Sequence, residues 1–116
     1  MQYMLLIYED ETLYGPNPNK SGPALQEVVA KHMDFGKELG ATRLAGAGLK
    51  STLAATTIRT LNGKKSIHDG PFAETKEQLG GYYLIDVPDL DAAIAIAKKL
   101  PVVQDGAIEI RPVLAP

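Results

Sequence analysis

Two stretches of the chain, residues 3–8 and 80–87, are predominantly apolar. Because successive side chains of a strand point to opposite faces, these stretches predict strands that are apolar on both faces. Residues 107–113 differ, since apolar and charged side chains alternate there and leave one face polar. We therefore expect two central strands that are covered on both sides and a last strand with one polar face.

Two other segments have apolar residues at the spacing of one helical face. Residues 23–39 predict a first helix that begins at Pro23 and ends at Gly40. Residues 89–100 predict a second helix that is capped by Asp89. The first apolar face consists of Leu25, Val28, His32, Phe35 and Leu39, and the second of Leu90, Ala93, Ile94, Ala97 and Leu100. A histidine thus stands in the middle of the first face.

The middle of the chain predicts one more strand and a hairpin. Residues 42–49 are the strand, and an Asn-Gly pair joins the β-prone runs 56–61 and 64–68. Asn-Gly favours the two-residue turn that connects antiparallel strands. The order of elements is then strand, helix, strand, hairpin, strand, helix, strand. This order predicts a single α+β domain over residues 1–116, a ferredoxin-like split βαβ arrangement with an inserted β-hairpin.

The predicted layers leave one sheet face without a cover. Two helices can cover only one face of the sheet, yet both central strands are apolar on both faces. A second copy of the sheet is the simplest partner for the remaining face, so we expect a homodimer formed by sheet-to-sheet packing. The alternative is that the inserted hairpin folds over this face within one chain.

Composition and charge exclude several classes of function. The chain has 116 residues, 45% of them apolar, and it contains no cysteine, so thiol chemistry and disulfides are excluded. The net charge is −2 and no basic run exceeds two residues, which argues against nucleic-acid binding. No membrane span, signal peptide, nucleotide-binding glycine loop or metal-binding histidine spacing is present in the sequence. We expect a cytoplasmic protein without a cofactor.

His32 and Asp69 are the candidate catalytic residues. Histidine titrates near neutrality, and a carboxylate beside it raises its basicity, so the pair could act as general base and orienting group. Asp69 begins a rigid Asp-Gly-Pro turn, and this rigidity could hold its carboxylate beside a histidine. The structural alternative is a buried, hydrogen-bonded His32 and an Asp69 that only stabilises its turn, with Phe72 tucked into the core.

Other polar residues are candidates for binding a small acidic substrate. Arg59 and Arg111 lie on predicted strands and could reach one polar cavity, where arginine suits an anionic group. Glu74 and Lys76 belong to a dense polar stretch that could form the rim of this pocket, and His68 precedes the turn. The alternatives are cross-strand ion pairs, a solvated connection and an exposed strand end.

A block at residues 68–77, His-Asp-Gly-Pro-Phe-Ala-Glu-Thr-Lys-Glu, resembles the YCII-related family of the DGPF type. Residues 78–86, 3–8 and 109–113 are similar to that family as well, so the resemblance spans essentially the whole chain. It implies a dimeric α/β-barrel built on a ferredoxin-like fold.

The resemblance also implies a site. In YCII-like proteins a helix histidine and the Asp of the Asp-Gly-Pro turn are proposed as an active-site dyad, and these roles fall on His32 and Asp69. A non-histidine residue is common before the motif, so His68 could compete with His32 for Asp69. One relative is a dehydrochlorinase, and others occur with extracytoplasmic-function sigma factors.

Two hypotheses for the function follow. The first is a cofactor-independent, lyase- or hydrolase-like enzyme that uses the dyad on a small acidic molecule. The second is a non-catalytic dimeric module that binds a ligand or accompanies another protein, and the relatives found with sigma factors suggest a role in sigma-factor regulation.

Overall fold

The computed structural model describes residues 1–102 and 105–114 and contains every predicted helix and strand, with bounds that differ by at most about two residues. In chain order these are β1 (Gln2–Glu9), α1 (Pro23–Leu39), β2 (Arg43–Gly48), β3 (Thr56–Leu61), β4 (Lys64–Asp69), β5 (Gln78–Asp86), α2 (Leu90–Lys99) and β6 (Gly106–Pro112). Three short 3₁₀ helices, at Glu11–Tyr14, Gly40–Thr42 and Thr52–Ala54, were not predicted.

The main sheet has four strands in the order β2-β5-β1-β6, and all of its neighbours are antiparallel. This is the strand order of a split βαβ arrangement, so the α+β, ferredoxin-like prediction is confirmed. The two strands that are apolar on both faces, β1 and β5, are the central pair, as their pattern predicted. Within the described residues, no helix is long and apolar enough to cross a membrane.

Both helices cover the same face of this sheet. On that face Leu5 and Ile85 have no solvent exposure, and the alternate residues Met4, Leu6 and Leu84 on the other face stay half-buried. Strand alternation therefore divides each central strand between a packed core and an open sheet face. The core cluster consists of Tyr3, Leu5, Ile7, Phe35, Tyr83, Ile85, Val87, Ala93 and Leu100.

The predicted helix boundaries depend on local capping, and the structure confirms them. Pro23 occupies the first turn of α1 after Gly22, and Gly40 ends the helix with a positive φ of 54°. The Asp89 carboxylate accepts a hydrogen bond from the Ala92 amide at 2.9 Å and so caps α2.

The β3–β4 hairpin projects from the body of the protein. Its strands form a separate two-stranded sheet, and all of its side chains are exposed except the half-buried Thr57. Ile58 and Ile67, which pair across the hairpin, are 63% and 73% exposed. The described chain therefore does not fold the hairpin over the open sheet face, and that alternative is wrong.

The Asp-Gly-Pro turn is attached to the hairpin instead of the core. The Thr57 hydroxyl donates to the Gly70 carbonyl at 2.7 Å, and the Arg59 guanidinium donates to the Phe72 carbonyl at 2.6 Å. Phe72 itself is 74% exposed, so its predicted place in the core is wrong. Gly70 has a φ of 104°, a conformation suited to glycine.

Candidate active site in the cavity beneath helix α1

A cavity of about 680 Å³ lies between α1 and the neighbouring part of β2 and β5. It exists because three glycines, Gly46, Gly48 and Gly81, occupy helix-facing positions of these strands. Gly81 lies opposite both Ile7 of β1 and Gly48 of β2, so this row of the sheet has no side chain on its β2 and β5 positions. The sequence thus keeps open a space that larger side chains would fill.

The glycines differ in what they would tolerate. A Cβ atom on Gly48 would meet nothing within 4 Å, so a side chain there would extend into open space. A Cβ atom on Gly46 would lie 3.0 Å from Cδ1 of Tyr83, and one on Gly81 would lie 3.0 Å from the Ala47 carbonyl oxygen. Gly48 is therefore the position at which the cavity can be blocked with least damage to the fold.

His32 enters the cavity from α1 and is held by Tyr83 of β5. Its Nδ1 atom lies 2.7 Å from the Tyr83 hydroxyl oxygen, and the two rings stack with centroids 5.8 Å apart. Phe35 packs its ring edge-on against Tyr83, and the Arg43 guanidinium lies 5.8 Å from the centre of the Tyr83 ring. These contacts fix the orientation of the imidazole without a carboxylate.

Burial governs the protonation of this pair. Removal from water lowers the pKa of His32, because the charged imidazolium loses hydration. The same effect raises the pKa of Tyr83, although the nearby Arg43 opposes it. At neutral pH His32 is therefore neutral and can accept a proton, and Tyr83 keeps its hydroxyl proton.

A second polar cluster, formed by Glu9, Tyr14 and Lys20, also lines the cavity. The Lys20 Nζ atom lies 3.6 Å from Glu9 Oε1 and 4.8 Å from the centre of the Tyr14 ring. The Tyr14 hydroxyl donates to Glu9 Oε2 at 3.1 Å. Burial, followed by the charge of Glu9, raises the pKa of Tyr14, so this hydroxyl remains a donor.

The lining of the cavity combines apolar walls with an excess of positive charge. Its charged side chains are four cations, Lys20, Lys37, Arg43 and Lys50, and one carboxylate, Glu9. The whole chain, by contrast, has a net charge of −2. Apolar walls with an excess of cations suit a small anion with an apolar body. Within the described residues, no three His, Asp or Glu side chains are grouped closely enough to hold a metal ion.

The described chain does not bring Asp69 to His32. Asp69 is an exposed residue of β4 whose backbone pairs with Thr56, and no residue of the hairpin lines the cavity. His68 lies beside it on the same exposed strand, and its Nε2 atom is 3.1 Å from the Ser66 hydroxyl. Neither histidine makes a hydrogen bond or ion pair with Asp69 within the described residues, and the predicted dyad stays a prediction.

The other predicted binding residues are dispersed. Arg59 lies on the projecting hairpin, whereas Arg111 lies on the edge strand β6, where it forms an ion pair with Glu109. The two arginines therefore lie on separate sheets, and the ion pair links residues of one strand instead of two. Glu74 and Lys76 are exposed in the connection that follows the turn.

Sequence patterns indicated some residues of this candidate site and missed the rest. His32 was found because it is a polar residue in an apolar helical face. Tyr83 could have been found from the same patterns, since that face packs on the strand positions shared with Ile85 and Val87. Lys20 gave no periodic signal, because it follows a loop of Gly, Pro and Asn residues.

Comparison with known proteins agrees with the resemblance described above. The family model of the YCII-related domain matches residues 1–115. An uncharacterised protein of Rhizobium meliloti (strain 1021) is 39% identical over 118 residues, which cover 97% of this chain and 91% of that protein. The chain therefore belongs to the YCII-related family. Neither description names an activity or a ligand.

Proposed function

We propose that this member of the YCII-related family binds a small anion with an apolar body in the cavity beneath α1, and that His32 accepts a proton from it. The observation that carries the proposal is the position of His32. Its half-buried, neutral imidazole lies in a cavity whose charged lining is mostly cationic. A base, an apolar site and an attraction for anions are thus combined in one place.

The Tyr83 contact leaves Nε2 as the His32 nitrogen that is not engaged by this hydrogen bond. If Nδ1–H donates to the Tyr83 oxygen, Nε2 carries the lone pair and is the proton acceptor. The proton then moves from a carbon acid of the substrate to Nε2, and the electron pair stays on the substrate or expels a leaving group. Tyr83 has the orienting role that sequence analysis assigned to Asp69.

We also propose the homodimer that the open sheet face suggests. Met4, Leu6 and Leu84 form an apolar centre on this face, and the neighbouring hairpin exposes further apolar side chains. Asp69 can join the site only if a second copy supplies it, because the single chain keeps it on the projecting hairpin. Light scattering tests the dimer, and a monomer at micromolar concentration would contradict it.

A non-catalytic binding module is the second candidate. The observation that favours it is the absence of a carboxylate partner for His32 within the described chain. In this case the cavity holds the same class of ligand, but no proton is exchanged.

The test of the proposed function uses the folded full-length chain and a panel of small aliphatic and aromatic carboxylic acids. Binding is measured by thermal shift, and each acid that binds is incubated in D₂O and examined by proton NMR. We expect loss of one carbon-bound proton signal with the wild type and no loss with His32→Ala. Binding without exchange would support the second candidate.

Two variants separate the cavity from the rest of the surface. Gly48→Leu fills the cavity and should abolish binding. The fold should tolerate this substitution, because a Cβ atom at this position meets no atom within 4 Å. Ala95→Leu places the same side chain on an exposed position of α2 and should leave binding unchanged. Binding that survives in Gly48→Leu would contradict the proposed site.

A further inference from the structure

Lys20 is a buried cation whose environment leaves its hydrogen-bonding capacity unused. Its side chain is only 6% exposed, yet the nearest carboxylate oxygen, Oε1 of Glu9, is 3.6 Å from Nζ. This separation exceeds a hydrogen bond, so the contact is an ion pair alone. An ammonium group has three donors, and a buried donor without an acceptor is unfavourable.

The unused donors of Lys20 face the cavity. Within the described residues, every fully enclosed side-chain nitrogen and oxygen has a hydrogen-bond partner. Nζ has no such partner, so it must retain some accessible surface, and Lys20 lines the cavity. The ammonium group is therefore directed at the space that a ligand would occupy.

The backbone holds Lys20 in an unfavourable conformation. Its φ of 55° lies in the left-handed region that side chains other than glycine seldom adopt. The Lys20 amide donates to the Asn17 carbonyl at 2.9 Å, and the Ser51 amide donates to the Pro18 carbonyl at 3.0 Å. The loop is thus fixed in a shape that keeps this one cation inside the protein, and such strain is often found at binding sites.

We propose that Lys20 binds the carboxylate of the ligand and that this carboxylate is the only negative charge the ligand carries. Among the described residues of the lining, Lys20 is the one buried cation, since Lys37, Arg43 and Lys50 are exposed, and Glu9 already neutralises part of the charge of Lys20. Glu9 would repel a dianion, such as a phosphate monoester, more strongly than it repels a monoanion. The inference rests on the proposed function, because it places the anionic end of the ligand in the same cavity as His32.

The test compares acids with their neutral amides. ¹⁵N-labelled protein is titrated with phenylacetate, hexanoate, phenylacetamide and hexanamide, and the dissociation constant is taken from shifts of cavity amides. We expect the wild type to prefer each acid over its amide by about tenfold, the range of one charge-assisted contact. In Lys20→Met this preference should fall to less than about twofold.

Matched variants separate this contact from general electrostatic attraction. Lys98→Met removes an exposed cation of α2 that lies outside the lining and should keep the preference for acids. Because Lys20→Met leaves Glu9 without its cation, the double variant Glu9→Gln/Lys20→Met serves where the single variant is unfolded. Glu9→Gln alone should strengthen acid binding, since it removes the competing charge.

The outcomes distinguish this inference from the proposed function. If neither acids nor amides shift the cavity amides, the proposed function is wrong and Lys20 has no ligand to bind. If acids bind and their preference survives in Lys20→Met, only the role of Lys20 is wrong. If phenylphosphonate binds about tenfold more tightly than phenylacetate, the assignment of a monoanionic carboxylate is wrong.

Discussion

The cavity beneath α1 and the β3–β4 hairpin differ in how their residues are held. In the cavity, His32 and Lys20 are fixed by contacts with Tyr83, Glu9 and Tyr14, which come from other parts of the chain. On the hairpin, by contrast, the hydrogen bonds of Asp69 and its neighbours are made within the hairpin and its turn. A site needs side chains that surrounding structure keeps in place, and only the cavity supplies such support in a single chain.

This difference explains why one half of the predicted dyad lies in a pocket and the other does not. A sequence motif identifies a rigid turn, but it does not show what the turn packs against. Under the proposed homodimer, the hairpin and turn would contribute to a site only through contact with a second chain. The following predictions test this contrast, from the largest expected effect to the smallest.

Truncation of the two phenylalanines should have very different effects. Phe35 is 5% exposed and packs on Tyr83, so Phe35→Ala should lower the free energy of unfolding by about 3–5 kcal/mol. Phe72 is 74% exposed, so Phe72→Ala should change it by less than about 0.5 kcal/mol. Urea denaturation at low protein concentration measures both. A large loss for Phe72→Ala would show that the hairpin is packed against something.

Removal of two tyrosine hydroxyls should distinguish the cavity face of β5 from its open face. Tyr83→Phe removes the partner of His32 Nδ1 and should lower the free energy of unfolding by about 1 kcal/mol. Tyr82→Phe, on the opposite face, should have almost no effect, because no hydrogen bond to its hydroxyl is present within the described residues. Equal effects in urea denaturation would contradict an orienting role for Tyr83.

Asp69→Asn tests whether the dyad forms between two chains. At concentrations where the protein is monomeric, the NMR titration of His32 should be unchanged, because no carboxylate contacts it within the described chain. In a dimer that brings Asp69 of the partner subunit to His32, the substitution should lower the pKa of His32. His68→Asn is the control on the same strand. No change at either concentration would exclude the dyad.

The pH dependence of stability should show the smallest effect. Burial lowers the pKa of folded His32 below its ordinary value of 6.5, so the unfolded chain binds this proton more readily. The stability linked to His32 is therefore complete above about pH 6.5 and declines as the pH falls from there towards the lower folded pKa. In urea denaturation, the free energy of unfolding of His32→Gln should fall less over this pH interval than that of the wild type. An equal loss in both proteins would show that His32 is not desolvated.

The fold was largely predictable because its signals are local and periodic. Apolar alternation located β1 and β5 and predicted their central position, and Asn-Gly located the turn of the hairpin. The position of Phe72 was predicted incorrectly, because hydrophobicity alone does not decide whether a residue beyond a projecting hairpin can reach the core. The 3₁₀ helices were missed because three or four residues carry no measurable period.

The site was less predictable, because its contacts join distant parts of the chain. His32 and Tyr83 are separated by 51 positions, and only the packing of α1 on β5 brings them together. The cavity also depends on the absence of side chains at Gly46, Gly48 and Gly81, and these glycines share one face only after β2 and β5 pair. No sequence window contains all of these residues.

The sequence alone determined the element order, the two central strands, the helix ends and the place of His32 on the apolar face of α1, because each depends on nearest neighbours or on one repeating period. The tertiary structure decided which partner His32 has, that Lys20 is buried and where the hairpin points. These features depend on packing between elements, and packing is set by the three-dimensional register of surfaces that the chain brings together only when it folds.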